Sequence, residues 1–234
     1  YLTGAKKRAG YVQEKNISKP RFYNLPVLEP SLPIHEVLAM MNLLRPLGVQ
    51  MPPPPPALFP DGAIAHRISG EFKRAGVTGK KAVIHISSRR PENRWPVESF
   101  KTLIELIGKS SGFNAILSWS PGSSESPAHP GDDETAERLK SEANPAPEAL
   151  RTATLKELIA LMSLSDVAIC LDGGAMHIAA ALKKPVLAIW GSTDARRWAP
   201  YGIEHIILQK ETRMASSVTP AEVFDAFKKL TGAV

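Results

Sequence analysis

Short apolar runs alternate with amphipathic segments along the chain from residue 82 onward. The runs occupy residues 82–86, 114–119, 167–171, 186–190 and 206–208. Runs of this length, separated by helical patterns, predict a parallel β-sheet with helices on both of its faces. Two helix starts are explicit, because Thr154 and Thr219 each precede a glutamate by three residues, the spacing of a capping box, and Pro220 occupies a first helical position.

The beginning of the chain has the pattern of a domain's interior rather than of its start. Residues 4–12 are typical of a crossover that leads into a strand. Residues 33–44 predict a helix, because apolar side chains recur there on one face. Since other elements would have to precede these, we expect the first domain to be incomplete in this sequence.

A proline-rich connector separates this region from the alternating pattern. Five consecutive prolines at 52–56 predict an extended polyproline II segment, and a binding site for a proline-recognition module is the alternative interpretation. A helix at 64–75 and a hinge at 76–81 follow. We therefore predict two domains, with residues 1–78 closing the first and residues 79–234 forming a Rossmann-like second domain.

Composition indicates a folded protein without a membrane span. Hydrophobic residues make up 43% of the 234, and no apolar run approaches the roughly 20 residues that cross a bilayer. The single cysteine, Cys170, lies inside an apolar run, so it is expected to be a buried small side chain. A cytoplasmic protein is the expectation.

A formal net charge of +6 favours acidic partners, such as nucleotides, a phosphorylated glycolipid or an anionic membrane surface. Zinc-finger spacing, RNP-like aromatic motifs and basic heptad helices do not occur in the sequence, so nucleic acid is not an expected partner. The histidines show no metal-ligand spacing, so neither a metal nor another cofactor is expected.

The stretch 166–194 contains the clearest candidate for a ligand site. A predicted strand leads into Asp172, Gly173 and Gly174, and an alanine-rich helix follows. The free N–H groups and the positive dipole end of that helix would face a bound anion, with His177 near its opening. These features predict a diphosphate cradle, in which a side chain at Gly174 would obstruct the ligand and strain the backbone. An ordinary strand–turn–helix unit is the alternative.

Residues that follow the predicted strands should meet at one rim of the sheet, because parallel strands all end on the same side. This rim is expected to carry Ser87, Ser88, Asp172, Gly173, Gly174, Gly191, Ser192 and Thr193. The glycine motifs of dehydrogenases and P-loop proteins, Gly-x-Gly-x-x-Gly and Gly-x-x-x-x-Gly-Lys-[Ser/Thr], do not occur in the sequence, which disfavours both classes.

Several of these motifs occur together, in the order of a known enzyme family. The motifs are His85-Ile86-Ser87-Ser88, Arg94-Trp95-Pro96, an acidic helix start at Asp132, Asp172-Gly173-Gly174-Ala175-Met176-His177 and Gly191-Ser192-Thr193-Asp194. From about residue 85 to residue 202 the sequence resembles the ADP-heptose:lipopolysaccharide heptosyltransferase family, glycosyltransferase family 9. Gly173 departs from this pattern, because the family commonly has threonine there, and one possible phosphate contact is lost.

The resemblance implies an α/β fold of the GT-B type, with two Rossmann-like domains. It implies an inverting transfer of heptose from ADP-heptose to the phosphorylated inner core of lipopolysaccharide, by a protein that contacts the cytoplasmic face of the inner membrane. The donor would be held by Ser87, Ser88, Arg94, Asp132, Asp172, Gly173, Gly174, Ala175, His177, Ser192 and Thr193. Asp132 would face the ribose or the sugar. The family's catalytic base is an aspartate in an N-terminal glycine-rich loop outside this sequence, so no catalytic residue is predicted.

The transfer is expected to proceed without a metal ion. A departing nucleoside diphosphate carries charge that a metal, or dipoles and cations, must stabilise. The sequence contains no Asp-x-Asp pair, the usual holder of a divalent ion in metal-dependent sugar transferases. Helix N–H groups, His177 and Arg94 are therefore the predicted stabilising groups.

Other interpretations of the same residues stay open. His177 can cap its helix, and Arg94 can be a surface cation. Asp132 and its acidic neighbours complement a helix dipole, and His129 is expected to be solvated in a loop rich in Gly, Ser and Pro. For the whole protein, a nucleotide-sugar epimerase and a non-catalytic nucleotide-binding module are the alternatives.

Overall fold

The computed structural model describes residues 4–17, 22–109, 112–126 and 130–233. The chain divides into two compact units, Tyr1–Pro55 with Asp194–Ala199, and Pro56–Thr193 with Pro200–Val234. The division falls inside the predicted proline connector, where the missing backbone donors disfavour helix and strand alike. His129, predicted to be solvated, lies outside the described residues.

The smaller unit contains a two-stranded parallel sheet and short helices. Its strands are β1 (Ala9–Val12) and β2 (Leu25–Leu28), and its α-helices are α1 (Glu36–Asn42) and α7 (Ala195–Trp198). The predicted strand after the crossover is β1. Helix α1 is shorter than the apolar pattern predicted, because the ring of His35 accepts a backbone N–H bond from the first helical turn and so caps the helix.

The larger unit is built on a six-stranded parallel sheet. Its strands are β3 (Lys80–His85), β4 (Phe113–Trp119), β5 (Glu148–Arg151), β6 (Val167–Leu171), β7 (Val186–Trp190) and β8 (His205–Gln209). Their order is β5-β4-β3-β6-β7-β8, and every neighbouring pair is parallel. This confirms the predicted parallel α/β architecture. Sequence analysis missed β5, because its four partly exposed residues form no apolar run.

Six helices of the described chain complete this unit. They are α2 (Gly62–Arg74), α3 (Val97–Lys109), α4 (Asp133–Glu142), α5 (Leu155–Ser163), α6 (Gly174–Ala181) and α8 (Pro220–Thr231). Both predicted capping boxes are present, at Thr154 and Thr219. Helix α3 packs with α4 and α8, while α5 packs with α2 and α6. In the described ranges no helix is long and apolar enough to cross a membrane.

Residues 56–78 lie in the larger unit, although sequence analysis grouped them with the first domain. The physical reason is that α2 packs against α5. An ion pair between Arg67 Nη2 and Glu157 Oε1, 2.8 Å apart, joins the two helices at their surface. The apolar pattern of α2 alone does not show which partner it covers.

Alternate residues of the central strands face opposite sides of the sheet. Ile84, Leu117 and Ile169 share one hydrophobic core with the buried side chains of α3 and α8. Cys170 is buried, and burial raises the pKa of its thiol to about 12, so the thiol stays protonated at neutral pH. The prediction of a buried small side chain is confirmed.

Candidate nucleotide-binding site

The strand order reverses between β3 and β6, the two central strands of the sheet. From β3 the chain proceeds outward through β4 and β5, and from β6 it proceeds the other way through β7 and β8. Loops that leave two such strands diverge, and ligands of open parallel sheets bind in the crevice between them. Ser87 and Ser88 follow β3, and Asp172 and Gly173 follow β6. The predicted rim residues therefore lie at this crevice.

Helix α6 begins at the crevice without a side-chain cap. Its N-cap residue is Gly173, which has no side chain to accept the first helical N–H groups. The first helical residue, Gly174, is exposed, and a Cβ placed there would meet no atom within 4 Å. The start of the helix is thus accessible, as an anion needs in order to reach backbone N–H groups and the positive end of the dipole.

Backbone conformation does not require either glycine at the start of α6. Gly173 has φ 169°, an extended conformation that any residue adopts, and Gly174 does not have a left-handed φ. The expectation that a side chain at Gly174 would strain the backbone is therefore wrong. What the two glycines supply is space above the first helical turn.

Two further predicted residues lie on α6. Ala175 is 7% exposed, so its methyl group packs into the fold and only its backbone can meet a ligand. His177 is the fourth residue of the helix and is exposed. Its ring therefore lies one helical turn from the uncapped N–H groups, where it can donate to a bound anion.

Asp172 is held by side chains from two neighbouring loops. Its Oδ2 accepts hydrogen bonds from Thr193 Oγ1 at 2.5 Å and from Asn93 Nδ2 at 2.8 Å. Asn93 Oδ1 in turn accepts the backbone N–H of Ser192 at 3.2 Å. We call these four residues the Asn93 cluster. Two of the predicted donor-binding side chains, Asp172 and Thr193, thus bind each other.

The Asn93 cluster depends on a close approach at Gly191. A Cβ at Gly191 would lie 2.2 Å from Asn93 Oδ1 and 2.3 Å from the carbonyl oxygen of Glu92. Glycine therefore lets the loop after β7 pack directly on the loop before α3. Gln209 anchors the same loop from β8, because its Nε2 donates to the carbonyl oxygens of Gly191 and Thr193, each at 2.8 Å.

On the β4 side of the crevice, Asp132 has a buried carboxylate with an unpaired oxygen. The residue is 7% exposed, and its Oδ2 has no hydrogen-bond partner among the residues that the structure describes. Burial raises the pKa of this carboxyl, while a hydrogen bond with Ser87 and the charge of Arg94 partly oppose that effect. A ligand hydroxyl that donated to Oδ2 would satisfy the unpaired oxygen.

The structure brings Ser87, Ser88 and Arg94 together with Asp132. Ser87 Oγ accepts the backbone N–H of Ser120 at 2.8 Å, and Arg94 Nε donates to the Ser88 carbonyl oxygen at 3.0 Å. Arg94 is partly buried, so it differs from the free surface cation considered as an alternative. Its guanidinium adds positive charge to the crevice near the Asp132 carboxylate.

Asp133 closes the loop between β4 and α4 at its base. Its Oδ1 accepts the indole N–H of Trp119 at 2.7 Å, and its Oδ2 accepts the backbone N–H of Gly122 at 3.0 Å. The backbone of Gly131 donates to the carbonyl oxygen of Ser123 at 2.9 Å. We call residues 120–123 and 131–133 the loop neck. The indole bond is the main reason that the pKa of Asp133 is lowered.

The adjacent carboxylates are expected to change stability with pH in opposite directions. Because the pKa of Asp132 is raised on folding, the wild type loses stability relative to Asp132→Asn as pH rises from about 4 through that raised pKa. The pKa of Asp133 is lowered, so its contribution is present above about pH 4 and is lost as pH falls through the lowered value. Thermal melts of the wild type, Asp132→Asn and Asp133→Asn between about pH 3 and pH 7 measure these differences. Parallel trends would contradict the assignment.

His85, the first residue of the His85-Ile86-Ser87-Ser88 motif, is buried. Its Nδ1 lies 3.3 Å from Ser118 Oγ, in the opposing position on β4. Burial lowers the pKa of the ring to about 4, so His85 is neutral at pH 7. It is the last residue of β3, two positions before Ser87.

Sequence reasoning missed Asn93 and two residues near the end of β8. The second group is Gln209, described above, and Arg213, whose Nη1 lies 3.4 Å from the Thr193 carbonyl oxygen. The one signal for Asn93 was its place directly before the Arg94-Trp95-Pro96 motif. No local pattern marks the other two, because their partners are carbonyl oxygens on a distant loop.

A parallel sheet with this strand order, and an uncapped helix start at its switch point, define a Rossmann-like unit. The chain belongs to glycosyltransferase family 9 (heptosyltransferase), which it matches over residues 1–225. The resemblance inferred from the motifs is thereby confirmed.

Curated relatives carry the name lipopolysaccharide heptosyltransferase. Lipopolysaccharide heptosyltransferase 1 of Escherichia coli O18:K1:H7 (strain RS218 / NMEC) is 26% identical over 141 residues, which cover 60% of this chain and 40% of the relative. Lipopolysaccharide heptosyltransferase 3 of Escherichia coli (strain K12) is 26% identical over 186 residues, which cover 77% of this chain and 50% of the relative. The chain thus spans half or less of the length of these relatives.

Solved structures share the fold. The glycosyl transferase family 9 protein from Veillonella parvula DSM 2008 superposes with a TM-score of 0.78 at 19% identity, covering 90% of this chain and 63% of that one. Heptosyltransferase WaaC from E. coli, solved with ADP-2-deoxy-2-fluoro heptose, gives 0.62 at 24% identity, covering 89% and 59%. These matches confirm the predicted α/β fold of the GT-B class.

Proposed function

We propose that this chain holds the nucleotide-sugar donor of a glycosyltransferase that transfers heptose from ADP-heptose to the phosphorylated inner core of lipopolysaccharide. Family membership and the names of the relatives support this substrate class. The observation that carries the proposal is the buried Asp132 Oδ2, which has no partner among the described residues, at the same crevice as the uncapped start of α6. One position suits a sugar hydroxyl, and the other suits a diphosphate.

The proposed donor position follows from the chemistry of each side of the crevice. A ribose hydroxyl donates to Asp132 Oδ2, which has no other partner in the described chain. The diphosphate accepts hydrogen bonds from the backbone at Gly174 and Ala175, and the guanidinium of Arg94 lies on the opposite side. Ser192 and Thr193 supply the wall after β7. The adenine-containing ligands of the E. coli structures support ADP as the nucleotide.

The proposed reaction inverts the configuration of the anomeric carbon. An acceptor hydroxyl oxygen attacks that carbon from the face opposite the diphosphate, the bond from carbon to the phosphate oxygen breaks, and ADP departs with the electron pair. The hydroxyl proton passes to a general base, a role that we assign to none of the described residues. Charge on the departing ADP is stabilised by the α6 dipole, His177 and Arg94.

ADP is expected to bind equally well with and without divalent metal. Across the described ranges, no group of three or more His, Cys, Asp or Glu side chains is placed to hold a metal ion, and the helix start already offers donors. Calorimetry with ADP in excess EDTA and in Mg²⁺ should give dissociation constants within about twofold of each other. A loss of binding in EDTA would refute metal independence.

Two assays of this protein distinguish the alternative functions. Turnover of ADP-heptose without an acceptor would favour an epimerase-like enzyme. Donor binding without transfer by the longest natural form of the protein, supplied with lipid acceptor, would favour a non-catalytic module.

We place the reaction in the cytoplasm, with the acceptor at the inner membrane, because the +6 net charge favours an anionic surface. Nucleic acid is not among the proposed partners.

A further inference from the structure

Asn93 connects three segments of the crevice and has no free face toward a ligand. The residue is 1% exposed. Its Nδ2 donates to Asp172 Oδ2, and its Oδ1 accepts the Ser192 N–H. One buried amide therefore ties the loop before α3 to the end of β6 and to the loop after β7. Both ends of the amide bind protein groups, so Asn93 does not serve as a donor ligand.

The segments that Asn93 joins carry the proposed donor contacts. Asp172 directly precedes the glycines that open α6, and Ser192 lies in the loop after β7. Arg94 directly follows Asn93. A displacement of any one segment would move backbone N–H groups relative to the guanidinium. Buried hydrogen bonds of this kind fix geometry, because breaking one leaves a polar group unsatisfied inside the protein.

We propose that Asn93 is a positioning residue of the donor site. It acts through Asp172 and Ser192, and it holds the start of α6 and the loop after β7 at the spacing that a diphosphate requires. This inference rests on the proposed function for its ligand.

Asn93→Asp tests the proposal with a nearly isosteric change. The new carboxylate keeps one oxygen for the Ser192 N–H but places the other against Asp172 Oδ2 in place of a donor. We expect ADP affinity to fall about tenfold at pH 8, because two carboxylate oxygens now face each other without a donor between them. Calorimetry of both proteins measures this. Equal affinity for ADP would overturn the proposal.

The double variant Asn93→Asp/Asp172→Asn exchanges the two groups and restores a donor facing an acceptor. We expect ADP affinity to recover to within about threefold of wild type at pH 8. A double variant as weak as Asn93→Asp would show that Asn93 does not act through Asp172. Should Asn93→Asp not fold, Thr193→Val removes the other donor to Asp172 at nearly constant volume, and it should weaken ADP binding by about threefold. Unchanged binding by that variant would count against the cluster.

Asn114→Asp is the matched control. Asn114 lies near the amino end of β4, at the end of the sheet away from the crevice. Its Nδ2 donates to the backbone oxygens of Thr78 and Lys80. It should lose thermal stability and keep wild-type ADP affinity. A drop in affinity equal to that of Asn93→Asp would reduce Asn93 to a general structural role.

Hydrogen exchange on the ligand-free proteins separates this inference from the proposed function. The backbone N–H groups of Asp172 and Ser192 are hydrogen-bonded to the Ile189 carbonyl oxygen and to Asn93 Oδ1. They should exchange faster in Asn93→Asp than in wild type, and the double variant should reverse the change. Unchanged exchange at both positions refutes the positioning role. Faster exchange in a protein whose wild type does not bind ADP refutes the donor assignment and leaves the geometric role of Asn93 intact.

Discussion

Gly174→Val is expected to weaken ADP binding by about 100-fold or more while the protein stays folded. The valine side chain would occupy the space above α6, where a Cβ now meets no atom within 4 Å. A diphosphate that no longer reaches two backbone N–H groups loses two charge-assisted hydrogen bonds of about 1.5–3 kcal/mol each, which corresponds to this change in affinity. Calorimetry with ADP and a thermal melt measure both effects.

Gly62 provides the matched control for this variant. It is the first residue of α2, and a Cβ placed there also meets no atom within 4 Å. Gly62→Val should therefore have the same small effect on melting temperature as Gly174→Val, and no effect on ADP affinity. If a folded Gly174→Val protein binds ADP like the wild type, α6 is not part of the donor site.

His177→Ala is expected to lower the rate of sugar transfer by a factor of about 10² to 10³, the usual loss for one removed oxyanion donor. The residue is exposed, so the melting temperature should change little. Transfer is assayed in the longest natural form of the protein, with ADP-heptose and the lipid acceptor. The affinity for ADP should fall much less than the rate, because charge accumulates on the diphosphate only as the bond to the sugar breaks.

The alternative role of His177 predicts a different result. If the ring only stabilises the start of the helix, His177→Ala should cost about 1 kcal/mol of stability and leave the rate unchanged. His66→Ala offers a comparison, since His66 is an exposed histidine in the second turn of α2. A decrease in melting temperature in His177→Ala but not in His66→Ala, with full transfer activity, would support the structural role.

Elements with a dense local pattern could be predicted from the sequence. The runs 167–171 and 186–190 agree residue for residue with β6 and β7, because strands buried on both faces require continuous apolar side chains. Capping boxes were equally explicit, since the bonds that form them span only three residues. The parallel topology then followed, and it placed the predicted rim residues at one crevice.

What depends on distant partners could not be predicted in the same way. Strand β5 is recognisable only through its pairing with β4, and Asn93 bonds to residues 79 and 99 positions away. The different roles of Asp132 and Asp172 at the rim could not be predicted for the same reason. The family resemblance marked both Asp132 and Asp172 as candidate donor ligands. Among the described residues, Asp132 Oδ2 has no hydrogen-bond partner, while Asp172 Oδ2 is occupied by Asn93 and Thr193.

The loop neck holds Asp132 through contacts that do not depend on residues 124–130. A Cβ at Gly131 would lie 2.2 Å from the Gly122 carbonyl oxygen, so the two sides of the neck touch backbone to backbone. Backbone bonds and Asp133 close this contact independently of the residues between Ser123 and Gly131. Substitutions there are therefore expected to leave Asp132 in place, so this stretch of sequence can vary while the candidate site keeps its geometry.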